Sequence, residues 1–101
     1  MDTKTLIAEA KARFNHNSAK DYLKEKYETK LIIADQGGLW KADPKTISFL
    51  NSMTDNFIVV VDTFNNPVQV NRDKLLDVLR ETYNKVMLEW YKEWTELEGK
   101  R

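Results

Sequence analysis

Leu75, Leu76, Leu79, Tyr83, Val86, Met87, Trp90, Trp94 and Leu97 recur at three- and four-residue steps through the last third of the chain. This spacing gathers them on one side of a 3.6-residue period. With Asn71 as N-cap and Gly99 as terminator, it predicts a single helix over 72–98. At 1.5 Å per residue that helix is about 40 Å long, against a diameter of roughly 34 Å for a compact domain of this size. Its last turns should therefore overhang and carry Trp90, Tyr91 and Trp94 into water, where large aromatics usually mark an interface. Packing on a neighbouring subunit is the preferred expectation for these three residues. Folding against the N-terminal helices is the other.

Earlier in the chain the period changes several times. Leu6, Ile7, Ala10 and Phe14 follow Thr3 at helical spacing and predict an amphipathic helix over 4–14. Asn15-His16-Asn17 then reads as an interruption. Ser18 with Asp21 resembles a capping box, and Tyr22, Leu23 and Tyr27 carry a second helix over 19–28. Leu31-Ile32-Ile33-Ala34 and Leu39-Trp40 flank Gln36-Gly37-Gly38, which predicts a hairpin around a turn tolerant of positive φ.

Between 44 and 52 the signals conflict. Asp43-Pro44 looks like the start of a helix, whereas Ile47 and Phe49 alternate with polar neighbours as in a strand. A short helical turn is preferred. Phe57 to Val61 is the strongest strand, and its unbroken apolar run predicts a central position buried on both faces. Val68-Gln69-Val70 should pair back onto it across a loop at 62–67.

The chain has 101 residues, with 16 basic and 16 acidic side chains and no cysteine. A single domain of that length buries only about 65% of its unfolded surface, so little margin of stability is expected. Without cysteine there are no disulfides or thiolate sites, and a reducing cytoplasm is the expected location. No apolar run approaches the roughly 20 residues that span a bilayer, so no membrane partner is expected. Charge balance gives no global pull toward nucleic acid. Residues 1–30 are the basic part, with seven basic and five acidic side chains.

Chemistry-bearing patterns are sparse. His16, the lone histidine, has no carboxylate or serine motif beside it. Gly37-Gly38 lacks the Lys-Ser/Thr sequel of a phosphate loop. Asp35, Asp43, Asp55 and Asp62 are scattered, so neither a metal nor a cofactor is expected and no catalytic residue is assigned. The 62–66 loop combines more useful groups. An Asn amide both donates to and accepts from a base edge, an aromatic ring stacks on a base, and an Asp can hold an amide in one orientation. A plain structural turn accounts for the same residues.

The stretch VDTFNNPVQV resembles the first signature of the Sm-like (LSm-like) RNA-binding proteins, with Asp62, Phe64 and Asn66 at the matching positions. The likeness spans about ten residues. The glycine that family carries in the strand before the Asp is missing, and Asn71-Arg72-Asp73 starts a helix where its Arg-Gly signature would follow. More widely, LIIADQGGLWKADP, NFIVVVDTFNNPVQVN and LEWYKEW resemble a group of small proteins from cyanophages and marine metagenomes. The resemblance implies an α+β fold: a strongly bent antiparallel Sm-like barrel behind N-terminal helical segments, with a long C-terminal helix. It also implies a homo-oligomeric ring that binds single-stranded RNA or DNA in the cytoplasm of a phage-infected cell. Asn66 would then read a base, Phe64 stack and Asp62 orient, while Lys4, Lys11, Arg13 and Lys20 attract phosphates. The alternative expectation is an assembly or adaptor protein that acts through its C-terminal aromatic helix.

Overall fold

The computed structural model describes the backbone of residues 3–99 and the side chains from Asn17 onward. In chain order the elements are α1 (Thr3–Lys30), β1 (Ile32–Asp35), β2 (Gly38–Lys41), α2 (Pro44–Ser52), β3 (Phe57–Val61), β4 (Pro67–Asn71) and α3 (Arg72–Gly99). The architecture is α+β, with the long C-terminal helix in place.

The barrel is not. The strands form two separate two-stranded antiparallel sheets, β1–β2 and β3–β4, and neither closes on itself. Four strands of four or five residues cannot curl into a closed wall, and α2 fills the connection between the second and third. The hairpins meet through a few hydrogen bonds instead of a ladder. Thr63 N–H donates to the Leu39 carbonyl at 3.0 Å, and Leu39 N–H donates to an Asp62 carboxylate oxygen. The Gln36 amide bonds the Asn71 backbone in both directions, donating to its carbonyl at 3.2 Å and accepting from its N–H at 2.7 Å.

The core is assembled from one stripe of each helix and the inner faces of the hairpins. Leu75, Leu79 and Val86 supply α3, Leu23 and Tyr27 supply α1, and Leu50 supplies α2. Trp40, Ile58 and Val70 close it from the strands. Spacings of four and seven residues on α3 and four on α1 keep each stripe on its own side of the helix.

Several expected elements differ. α1 runs unbroken through Asn15-His16-Asn17. Each of those residues costs only about 0.6 kcal/mol relative to Ala in a helix, far below the penalty of Pro, so packing downstream carries the helix across them. β3 is neither central nor buried on both faces. Ile58 and Val60 turn to the core, but Phe57, Val59 and Val61 are 64%, 63% and 60% exposed. A two-stranded sheet has a layer on one side only, so alternate residues of an apolar run are left outside.

The overhang also belongs to a different helix. α1 and α3 pack antiparallel, with Lys20 on Glu98, Lys26 on Glu93 and Lys30 on Glu89 at 3.0, 2.7 and 3.7 Å. In this register α3 ends beside residue 19 or so, and the first turns of α1 continue about 25 Å beyond it. The molecule is accordingly 66 Å long.

The 44–52 segment is helical, as preferred. Asp43 caps it by accepting from Thr46 N–H at 2.8 Å, and Pro44 stands in its first turn, where a missing N–H costs nothing.

Candidate functional site

Two places gather the residues singled out by sequence. The first is the loop between β3 and β4. Asn65 N–H donates to the Asp62 carbonyl at 3.1 Å and Asp62 N–H to the Asn66 carbonyl at 2.9 Å, which closes a tight turn. Asn65 takes the left-handed conformation with φ 64°. Asn tolerates that region because its short amide can bond locally, so the pair Asn65-Asn66 suits the turn.

Asp62 is buried beneath it. One carboxylate oxygen accepts from the N–H groups of Phe64 and Asn66, both at 2.9 Å, and the other accepts from Leu39 N–H at 3.2 Å. The backbone hydrogen bond from Asn66 holds this carboxyl below the usual Asp range. Those from Leu39 and Phe64 add to it, and burial works in the opposite direction. The carboxylate therefore reaches Asn66 through the backbone N–H, not through the side-chain amide.

Above this anchor Phe64 is 69% exposed and Asn66 is exposed. Together with Asp35, Gln36 and Gly37 they border an open cleft of about 590 Å³. Gln36 was not singled out by sequence, since a Gln beside two glycines reads only as turn material. Its φ of 49° and its two bonds to Asn71 make it the clasp between the hairpins.

Lys20 does not join this loop. It pairs with Glu98 near the far end of α3, about 39 Å of helix from the point where β4 enters α3. Lys4, Lys11 and Arg13 lie outside the residues whose side chains are described, as does His16.

The second place is the C-terminal half of α3. Trp90 turns inward and stacks on Tyr27, with ring centroids 6.1 Å apart and planes 9° from parallel. The Tyr27 hydroxyl donates to the Glu93 carboxylate, which also takes a 2.7 Å hydrogen bond from Lys26. Lys26 and Lys30 stand 5.2 and 4.9 Å from the Tyr27 ring centre. Hydrogen bonding to Glu93 raises the pKa values of both Tyr27 and Lys26, and the hydrogen bond from Lys26 is the leading cause that lowers Glu93.

Tyr91 and Trp94 are left exposed. They stack on each other with centroids 6.3 Å apart, and with Leu88 they form an exposed apolar ledge. The structure thus divides the three aromatics of the terminal helix, using Trp90 inside the chain and leaving Tyr91 and Trp94 at the surface.

Among the described residues no three His, Asp or Glu side chains converge as a metal-binding cluster. No described helix is long and apolar enough to cross a membrane. No family model, curated protein or solved structure matches the chain.

Proposed function

We propose that this protein is a non-catalytic assembly module whose working surface is the outer face of α3, and that the partner on that face is a second copy of the chain. The observation that carries the reading is the ledge itself. Leu88, Tyr91 and Trp94, 71%, 66% and 40% exposed, stand at three-residue steps on one side of α3. Stacked aromatics exposed at the surface lose water-exposed apolar area when a partner covers them, and aromatic residues are enriched at the centres of such interfaces. A second copy offers the same ledge, so a two-fold pairing is self-complementary.

Sedimentation velocity over a range of concentrations tests this. Wild-type protein should sediment as more than one chain, and Leu88→Ser with Tyr91→Ser should return it to a single chain of unchanged helicity. A wild-type protein that stays a single chain at every concentration removes the reading.

The exposed Phe64 ring favours a second reading, single-stranded RNA or DNA at the 62–66 loop, with Phe64 stacking on a base and Asn66 offering its amide. Base stacking on an aromatic is worth roughly 1–3 kcal/mol. Anisotropy with labelled single-stranded oligonucleotides at low salt should then show binding that Phe64→Ala with Asn66→Ala abolishes. Unchanged affinity takes the loop out of any such site.

A further inference from the structure

Hydrogen-bond alternation along β3 identifies an open strand edge. Asp62 N–H donates to the Asn66 carbonyl and Arg72 N–H to the Asn56 carbonyl, which brackets the β3–β4 ladder at both ends. The register pairs Ile58 with Val70 and Val60 with Val68 between those brackets. In an antiparallel ladder only alternate residues bond the partner strand. Residues 56, 58, 60 and 62 therefore point their backbone groups at β4. Those of Phe57, Val59 and Val61 point to the opposite edge, and the next in that series, Thr63, gives its N–H to Leu39.

β2 approaches this edge and then leaves it. The two strands touch at Leu39 and Thr63, and past that point a cleft of about 580 Å³ opens between them. Its walls are Val59 and Val61 on one side and Trp40, Lys41, Lys45 and Phe49 on the other. β2 has little left to offer across the gap. Leu39 is bonded at both its N–H and its carbonyl, and the Lys41 carbonyl accepts from Asp43 N–H at 2.9 Å. The free edge is that of β3. From residue 57 to 61 it is about 13 Å long, room for a strand of five residues.

Charge decides what would occupy it. Both acidic residues of the lining are already engaged, Asp43 as the cap of α2 and Asp62 on three backbone amides. Neither Lys41 nor Lys45 has an ion-pair partner among the described residues. Asp43 and Asp62 keep their charge but spend their oxygens on backbone N–H groups, so the cleft combines an apolar strand edge with two ammonium groups that have no carboxylate partner among the described residues.

We propose that the β2–β3 cleft is a strand-accepting site for an extended, acidic segment of another protein, apolar at alternate positions. Its backbone adds to β3 at Phe57, Val59 and Val61, its apolar side chains lie against those residues and Phe49, and its carboxylates face Lys41 and Lys45. Strand addition of this kind takes affinity from main-chain hydrogen bonds and specificity from alternate side chains. The β3 of a second copy fits less well, because Phe57–Val61 carries no carboxylate to set against the lysines. The site is independent of the α3 ledge.

The test is fluorescence anisotropy with two labelled seven-residue peptides, one alternating Val with Glu and one alternating Val with Lys. The Glu peptide should bind the wild-type protein at low salt, and the Lys peptide at least about tenfold more weakly. Lys41→Glu with Lys45→Glu should reverse that order. Val59→Pro removes a donor at the free edge without touching a β4 bond, and should abolish binding of the Glu peptide. A Glu peptide N-methylated at alternate amides should fail on wild-type protein, which keeps the edge testable if Val59→Pro unfolds. No binding of the Glu peptide, equal binding of both peptides, or a charge reversal without effect overturns the proposal. So does a wild-type dimer that Val59→Pro dissociates and the peptide does not, since a second copy would then hold the edge.

Discussion

Asp62 places one carboxylate oxygen 3.2 Å from the amide nitrogen of Leu39, so a side chain stands where a strand carbonyl would complete the bridge between the two hairpins. Its other oxygen closes the 62–66 turn on Phe64 and Asn66. One residue thus fixes both the apex that presents Phe64 and the angle at which β2 meets β3. The cleft beyond Leu39 follows from that junction, because a full ladder would have sealed it.

Replacing this carboxylate should be felt in stability and in its pH dependence. Asp62→Asn turns a pure acceptor into a group with donors facing backbone N–H groups, and lowers the melting temperature. The folded-state pKa of Asp62 lies below its unfolded value. The stabilisation from this group is therefore present above about pH 4 and is lost as the pH falls through the folded pKa. Thermal melts between pH 2 and 7 should show a shallower acid limb for Asp62→Asn than for wild type, and parallel limbs would contradict the assignment.

The Tyr27–Glu93 contact acts at the other end of the scale. Tyr27 has a raised pKa, chiefly from its hydrogen bond to Glu93. Stability from the protonated phenol is fully present below about pH 10 and is lost as the pH rises through the folded value. Spectrophotometric titration of tyrosinate should find one phenol that ionises above the ordinary tyrosine range. Glu93→Gln should bring that phenol back toward the ordinary range, and a titration unchanged by the substitution would count against the contact.

Gln36 binds the tip of the first hairpin to the end of β4 through two bonds. Gln36→Ala leaves Asn71 with an unpaired N–H and carbonyl in a half-buried position. At roughly 1 kcal/mol for each bond the loss should be about 1–3 kcal/mol by urea denaturation. Amide exchange should quicken at Asn71. Exchange there as slow as in wild type would mean that another group takes the place of the Gln side chain.

Local chemistry made much of this fold legible in the sequence. The stripe from Leu75 to Leu97, the Gln36-Gly37 turn and the Asp43-Pro44 start of α2 all depend on residues within a turn or two of one another. The misjudged features depend on what lies far away in sequence. Nothing near Phe57–Val61 reveals that no layer covers its second face, and nothing near Asn15-His16-Asn17 reveals that α3 lies alongside the turns that follow. Asp62 and Gln36 are the sharpest cases. Each has a familiar local role as a turn former, and each spends part of its bonding capacity on a residue 23 or 35 positions away.

Gly38 provides a test of packing rather than bonding. A Cβ on it would lie 2.5 Å from Cζ2 and 2.8 Å from Cε2 of Trp40. That ring is buried, and its Nε1–H donates to the Asp35 carbonyl at 2.8 Å, so it has no slack to move aside. Gly38→Ala should therefore destabilise by about 1–3 kcal/mol, as overpacked sites do. Gly37→Ala serves as the contrast, since its φ of 80° strains any side chain while nothing lies within 4 Å of the added atom. If overlap with the indole is the cause at Gly38, the cost should shrink when Trp40→Ala is already present, whereas the cost at Gly37 should not change. Additivity of Gly38→Ala with Trp40→Ala in a urea double-mutant cycle would show that overlap with the ring does not set the penalty.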